Sequence, residues 1–126
     1  MKNLHTYETD FTTLHIRADH VLAIMKEGVT VVPEYQKYLE EASLLHFPKK
    51  PFGYITHRKH SYAVDPKVYI KTSQIENLVA FAIVSTEPVS LSNAQIEQLF
   101  LSIPVQVFND LEKAEAWVQE IVAQHS

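Results

Sequence analysis

The sequence predicts a single α/β domain, residues 1–126, built on a mixed and mostly parallel sheet. Segments with the apolar pattern of strands alternate with segments whose apolar residues recur every three or four positions, which is typical of parallel sheets covered by helices. Only the short segment ADH (18–20) separates the first two strand segments, which indicates an antiparallel hairpin. A chain of 126 residues, 46% of them apolar, can bury one core without disulfides or metals.

The hairpin is predicted at residues 12–17 and 21–28. In TTLHIR (12–17), Leu14 and Ile16 alternate with polar neighbours, which is the period of a half-buried strand. VLAIMKEG (21–28) is the second strand segment. The sheet is therefore expected to begin with an antiparallel pair.

Pro33 predicts the start of the first helix, because proline is tolerated in the first helical turn. Its expected core stripe consists of Tyr35, Tyr38, Leu39, Ala42 and Leu45. The prolines of FPKKPF (47–52) end the helix, and FGYIT (52–56) follows as a short strand. A strand, a helix and a strand in this order predict a parallel pair.

The second half of the chain continues the alternation. Asp65 and Pro66 predict a helix start, and LVAFAIVS (78–85) is typical of a strand buried on both faces. Ser92 with Gln95 predicts a short helix, VQVF (105–108) a last strand, and Asn109 with Glu112 the cap of a final helix. The predicted order of elements is ββαβαβαβα.

Two stretches resemble a known family. The closing segment VQVFNDLEKAEAWVQEIV (105–122) and the central KPFGYITHRKHSYAVDPKVYIK (50–71), followed by NLVAFAIVS (77–85), resemble the SpoIIAA-like proteins of the STAS superfamily, and in particular its small, uncharacterised bacterial members. The resemblance implies a SpoIIAA-like fold, and a regulatory or ligand-binding role rather than a reaction. The superfamily's phosphorylation switch uses an Asp-Ser-Ser motif after the third strand, and HRKHSYAVDP (57–66) lacks that motif.

The basic segment after FGYIT is the predicted binding site. It lies where ligands bind open α/β sheets, beyond the carboxyl end of a strand and before a helix start. The residues expected to bind a ligand or partner are His57, Arg58, Lys59, Ser61, Tyr62 and Asp65. A solvated loop is the alternative interpretation, and Ser61 is either a phosphorylation target or a hydroxyl bonded to nearby backbone.

Composition excludes several classes of chemistry. Without cysteine there are no disulfides, thiolate metal sites or cysteine nucleophiles, and two glycines are too few for a phosphate-binding loop. His57 and His60 have no evident third metal ligand, so neither a metal nor a cofactor is expected. A net charge of −4 argues against nucleic acid as a partner. His5, His20 and His125 are expected at a terminus or in a turn, so no catalytic base is predicted and the chain is not expected to be an enzyme.

We therefore expect a non-enzymatic regulatory or binding module of the SpoIIAA-like type, with a protein or a small or lipid-like ligand as its partner. The alternative is binding of a lipid or small apolar ligand with peripheral membrane association, because IEQLFLSIP (96–104) concentrates apolar residues. Tyrosines are expected to rim a pocket or to line the edge of the core: Tyr35, Tyr38, Tyr54, Tyr62 and Tyr69. No signal peptide or membrane span is apparent, so a cytoplasmic location is expected.

Overall fold

The computed structural model describes residues 4–26, 30–31, 36–57, 63–64, 75–84 and 103–125. Within these ranges a six-stranded mixed sheet carries a helix on each face, and the predicted α/β class is confirmed. The helices predicted after Asp65 and after Ser92 lie outside the described residues.

Eight strands are described. In chain order they are β1 (His5–Glu8), β2 (Thr12–Ile16), β3 (His20–Met25), β4 (Thr30–Val31), β5 (Phe52–His57), β6 (Ala63–Val64), β7 (Leu78–Val84) and β8 (Val105–Phe108). The main sheet has the order β1-β2-β3-β5-β7-β8, antiparallel from β1 to β3 and parallel from β3 to β8. The predicted hairpin is β2 and β3, and the predicted parallel pair is β3 and β5. The two-residue strands β4 and β6 form a separate parallel pair.

Strand β1 was not predicted from the sequence. It is the edge strand of the sheet and pairs antiparallel with β2, where Tyr7 lies opposite Leu14. Three of its four residues are exposed and only Tyr7 is half-buried, so HTYE has no apolar alternation that could reveal a strand.

The sheet separates two apolar cores. Alternate residues of each central strand face opposite sides, as Phe81 and Ile83 face one core and Ala80 and Ala82 the other. Five consecutive residues of β7 are buried, which confirms the prediction of a strand buried on both faces.

Helix α1 (Gln36–His46) covers one face of the sheet. Leu39 and Ala42 belong to its core as predicted, but the prediction for Leu45 was wrong, because 69% of this residue is exposed. The buried face continues through Ser43 instead, and Phe47 fills the core just beyond the helix end. Core residues of a helix recur every three or four positions, so after Ala42 either residue 45 or residue 46 could face the core. Packing in the folded chain decides between them.

Helix α2 (Leu111–Gln124) covers the other face with Ala114, Val118 and Val122. Its cap is Asp110, whose side chain accepts a hydrogen bond from the backbone N–H of Glu112 at 2.8 Å, and not Asn109 as the sequence predicted. Gly53 in β5 permits the close approach of this helix, because a Cβ at that position would overlap the Val118 Cγ1 methyl group.

Candidate functional site

Within the predicted basic segment, the structure describes only His57, Ala63 and Val64. His57 is the last residue of β5, one residue beyond the predicted end of that strand, and is half-buried. Arg58, Lys59, Ser61, Tyr62 and Asp65 lie outside the described residues, so their role stays a prediction. Ala63 and Val64 form β6 and pair with β4, so the alternative interpretation of this segment as a solvated loop does not hold for these two residues.

One groove runs between the edge strand β1 and helix α1, and we call it the β1 groove. Its volume is about 380 Å³. Tyr38, noted in the sequence as a pocket-rim candidate, lies on its wall and is held edge-on by the Phe11 ring at 5.4 Å. Tyr54, by contrast, is buried beside Phe81. The lining residues are Tyr7, Glu8, Thr9, Leu14, Tyr38, Glu41, Ala42 and Leu45.

A second groove of about 400 Å³ lies on the other side of α1, and we call it the Asn77 groove. The Asn77 amide nitrogen donates to the backbone carbonyls of Phe47 at 2.5 Å and of Lys50 at 2.7 Å. These bonds fix the segment after α1 against the turn before β7. The lining residues are Glu40, Ser43, Leu44, Pro48, Ile75, Glu76 and Asn77.

Both grooves are lined by a glutamate and a leucine that stand one helical turn apart on α1. Glu40 and Leu44 line the Asn77 groove, and Glu41 and Leu45 line the β1 groove. Residues four apart in a helix are neighbours on its surface, so each groove has a carboxylate beside an apolar side chain. Leu44 is 71% exposed and Leu45 69% exposed. We call this helix face, with its two grooves, the α1 surface.

Three rings meet where β1 approaches the end of α1. The Tyr7 hydroxyl hydrogen-bonds Nε2 of His46 at 2.8 Å, and the His5 ring centroid lies 4.4 Å from that of Tyr7 and 5.8 Å from that of His46. Burial lowers the pKa of His46 below its ordinary value, and the neighbouring His5 lowers it further. This ring cluster therefore favours a neutral His46 that joins β1 to α1.

A buried polar network joins the β2–β3 turn to α2. An Oε2 atom of Glu115 accepts from Arg17 at 2.6 Å and lies 3.2 Å from Nε2 of His20, whose Nδ1 lies 2.7 Å from Asp19. His20 is fully buried as the first residue of β3, so the expectation that it lies in a turn was wrong. Its ring is enclosed between two carboxylates.

The location of this network indicates a role in stabilising the fold rather than in contacting a substrate. Arg17 and Glu115 are nine-tenths buried, and none of the four residues lines either groove. A buried charge is tolerated only with partners, and here each carboxylate faces a basic group. Across the described ranges, no group of three or more His, Asp or Glu residues is arranged to hold a metal ion.

Comparison with known proteins identifies the fold. No family model matches the chain, and no curated protein matches it. The crystal structure of an uncharacterised DUF3478-family protein from Shewanella loihica, described as having a SpoIIAA-like fold, matches 94% of this chain and 98% of its own, with a TM-score of 0.57 and 12% identity. This chain has a SpoIIAA-like fold. The sequence resemblance is thereby confirmed for the fold, while an identity this low assigns no activity.

Sequence reasoning missed most residues of the α1 surface within this SpoIIAA-like fold. Leu45 was placed in the core, and Leu44 and Tyr7 were not singled out. Leu44 was the available signal, because a residue five positions after Leu39 lies on the opposite side of a helix from the face that Leu39 and Ala42 bury. Residues 96–102 of the predicted apolar segment lie outside the described residues, and Ile103 is half-buried against the core on the α1 side of the sheet. None of the helices in the described ranges is long and apolar enough to cross a membrane.

Proposed function

We propose that this SpoIIAA-like chain is a non-enzymatic binding module and that the α1 surface is its binding site. One observation carries the proposal: Leu44 and Leu45 are both more than two-thirds exposed, and each lines a groove. Single exposed leucines are ordinary on protein surfaces, but two beside concave sites form a patch. Covering this patch would gain free energy from apolar burial.

The polar groups of the described residues support binding rather than catalysis. His20, which lies between the carboxylates of Asp19 and Glu115, is fully buried and lines neither groove. The ring cluster beside the β1 groove pairs His46 with a tyrosine hydroxyl, with no acidic side chain bonded to it among the described contacts. General acid–base chemistry needs a positioned pair that a substrate can reach.

A second candidate function is the binding of a small apolar ligand in the β1 groove alone. Its volume falls within the range of small-molecule sites, and Tyr7, Leu14, Tyr38, Ala42 and Leu45 supply apolar and aromatic walls. This candidate needs Leu45 and not Leu44, because Leu44 lines the other groove. Peripheral membrane association through residues 96–104 stays a prediction.

Binding of the uncharged apolar dye Nile red tests the proposed function. We expect the folded protein to enhance dye fluorescence, and the double substitution Leu44→Ser with Leu45→Ser to remove most of the enhancement without changing the circular dichroism spectrum. Leu4→Ser is the matched control, because Leu4 is 65% exposed and lines neither groove.

The single substitutions separate the two candidates. A site that extends across α1 loses dye binding with either Leu44→Ser or Leu45→Ser, whereas a small-ligand site in the β1 groove responds to Leu45→Ser alone. No enhancement by the folded protein, or an equal loss with Leu4→Ser, would show that the α1 surface is not a binding site.

A further inference from the structure

We propose that the partner of the α1 surface is a protein segment in which apolar side chains are flanked by lysine or arginine. This inference rests on the proposed function and adds the chemistry of the partner. It follows from the charges that line the two grooves.

The described lining of both grooves is acidic. Glu40 and Glu76 line the Asn77 groove, Glu8 and Glu41 line the β1 groove, and no lysine or arginine is among the described lining residues of either. Glu8 is already neutralised, since its carboxylate lies 3.1 Å from the Lys26 ammonium, which holds the pKa of Glu8 below its ordinary value. The carboxylates of Glu40, Glu41 and Glu76 therefore remain available to contact a partner.

Lys37, Lys49 and Lys50, the described lysines nearest in sequence, lie at the ends of α1 rather than beside the leucines. The Lys37 ammonium lies 5.2 Å from the centre of the Tyr38 ring, one turn before Glu41. Lys49 and Lys50 are exposed beyond the helix end. The middle of the α1 surface thus presents apolar side chains with adjacent carboxylates, and a complementary segment places a basic residue within about one helical turn of its apolar anchors.

The same charges disfavour other occupants. A second copy of this chain docked by the same face would bring like carboxylates together, because a two-fold interface uses the same patch on both subunits. An anionic lipid surface would be repelled by Glu40, Glu41 and Glu76. A small apolar molecule in one groove would leave the leucine of the other groove exposed.

Model peptides test this inference. The probe is a fluorescently labelled peptide of about 14 residues with Leu at helical spacing and Lys elsewhere, compared with the same peptide in which Glu replaces Lys. We expect the Leu/Lys peptide to bind the protein and the Leu/Glu peptide to bind at least about tenfold more weakly. Anisotropy at about 50 and about 300 mM salt should show weaker binding at the higher concentration.

Matched charge variants locate the contact. Glu40→Gln with Glu41→Gln should weaken Leu/Lys binding about fivefold, which corresponds to about 0.5 kcal/mol for each of the two carboxylates. Glu112→Gln with Glu120→Gln makes the same change in net charge on exposed positions of α2 and should leave affinity within about twofold. Circular dichroism confirms that each variant is folded.

Several results would overturn the inference. They are equal binding of the two peptides, equal weakening by both pairs of glutamine substitutions, sedimentation of the protein with phosphatidylglycerol vesicles in place of peptide binding, and dimerisation that Glu40→Gln with Glu41→Gln strengthens. If the folded protein also fails to bind the apolar dye, the proposed function fails as well. If the dye binds and depends on Leu44 and Leu45, only the chemistry of the partner is wrong.

Discussion

The Tyr7 hydroxyl lies 2.8 Å from Nε2 of His46, and this bond joins the edge strand of the sheet to the last residue of α1. Among the strands that the structure describes, β1 pairs only with β2, and most of its side chains are exposed. Tyr7 also lines the β1 groove, so the bond fixes one wall of the proposed binding site. Its strength depends on the protonation state of His46.

The first prediction is a loss of stability in mild acid through His46. Burial and His5 lower the pKa of His46 in the folded chain, so the unfolded chain takes up this proton first as the pH falls. The stabilisation is therefore fully present above the ordinary histidine pKa of about 6.5 and is lost as the pH falls through the folded value. Urea unfolding between about pH 7.5 and about pH 5.5 should show this loss.

His46→Gln provides the matched variant, because a glutamine oxygen can accept the Tyr7 hydrogen bond but does not titrate. We expect its stability to fall less over this pH range than that of the unmodified protein. Glu8, whose pKa is lowered mainly by its hydrogen bond with Lys26, contributes in the same direction but at lower pH. Identical pH profiles for the two proteins would contradict the assignment to His46.

The second prediction concerns the contact between Gly53 and Val118. Gly53→Ala places a methyl group against the Val118 side chain and should lower the free energy of unfolding by about 2 kcal/mol. In a Val118→Ala background the same substitution should cost less than about 1 kcal/mol, because the overlapping group has been removed. Additive effects in this double-mutant cycle would mean that α2 does not approach β5 at this point.

The third prediction concerns the buried network. Glu115→Gln removes the negative charge that Arg17 and His20 share, and breaking a buried ion pair in this way should cost about 3 kcal/mol. Glu112→Gln, at an exposed position one turn earlier in α2, should change stability by less than about 0.5 kcal/mol. Chemical denaturation of both variants makes the comparison. A cost for Glu115→Gln as small as that of the control would mean that the network does not stabilise the fold.

Elements with strong periodicity were predictable from the sequence, whereas the α1 surface was not. Strand β7 is apolar on both faces and α2 carries a regular apolar stripe, so the bounds of β7 and the start of α2 were each predicted within one residue. Strand β1 was missed because its pairing with β2, rather than apolar alternation, forms it. Leu45 was wrongly predicted to be in the core. Packing between distant segments decides which of two adjacent helical residues faces the core.

The buried network was also beyond sequence reasoning. Arg17 and Glu115 are 98 residues apart and meet only when α2 lies across the sheet. Charged residues are usually solvated, so nothing in the local sequence of either residue predicts a buried pair. The basic segment from His57 to Asp65 was predicted from its place after β5, and its binding role stays a prediction.

The most direct test of the central claim is to map the binding site by nuclear magnetic resonance. The ¹⁵N-labelled protein is titrated with the Leu/Lys peptide, and backbone amide shifts are followed residue by residue. We expect the largest changes at Glu40, Glu41, Leu44 and Leu45 and at the neighbouring groove residue Asn77. Changes concentrated at residues 57–65, or a peptide that leaves the amides of α1 unperturbed, would contradict the account.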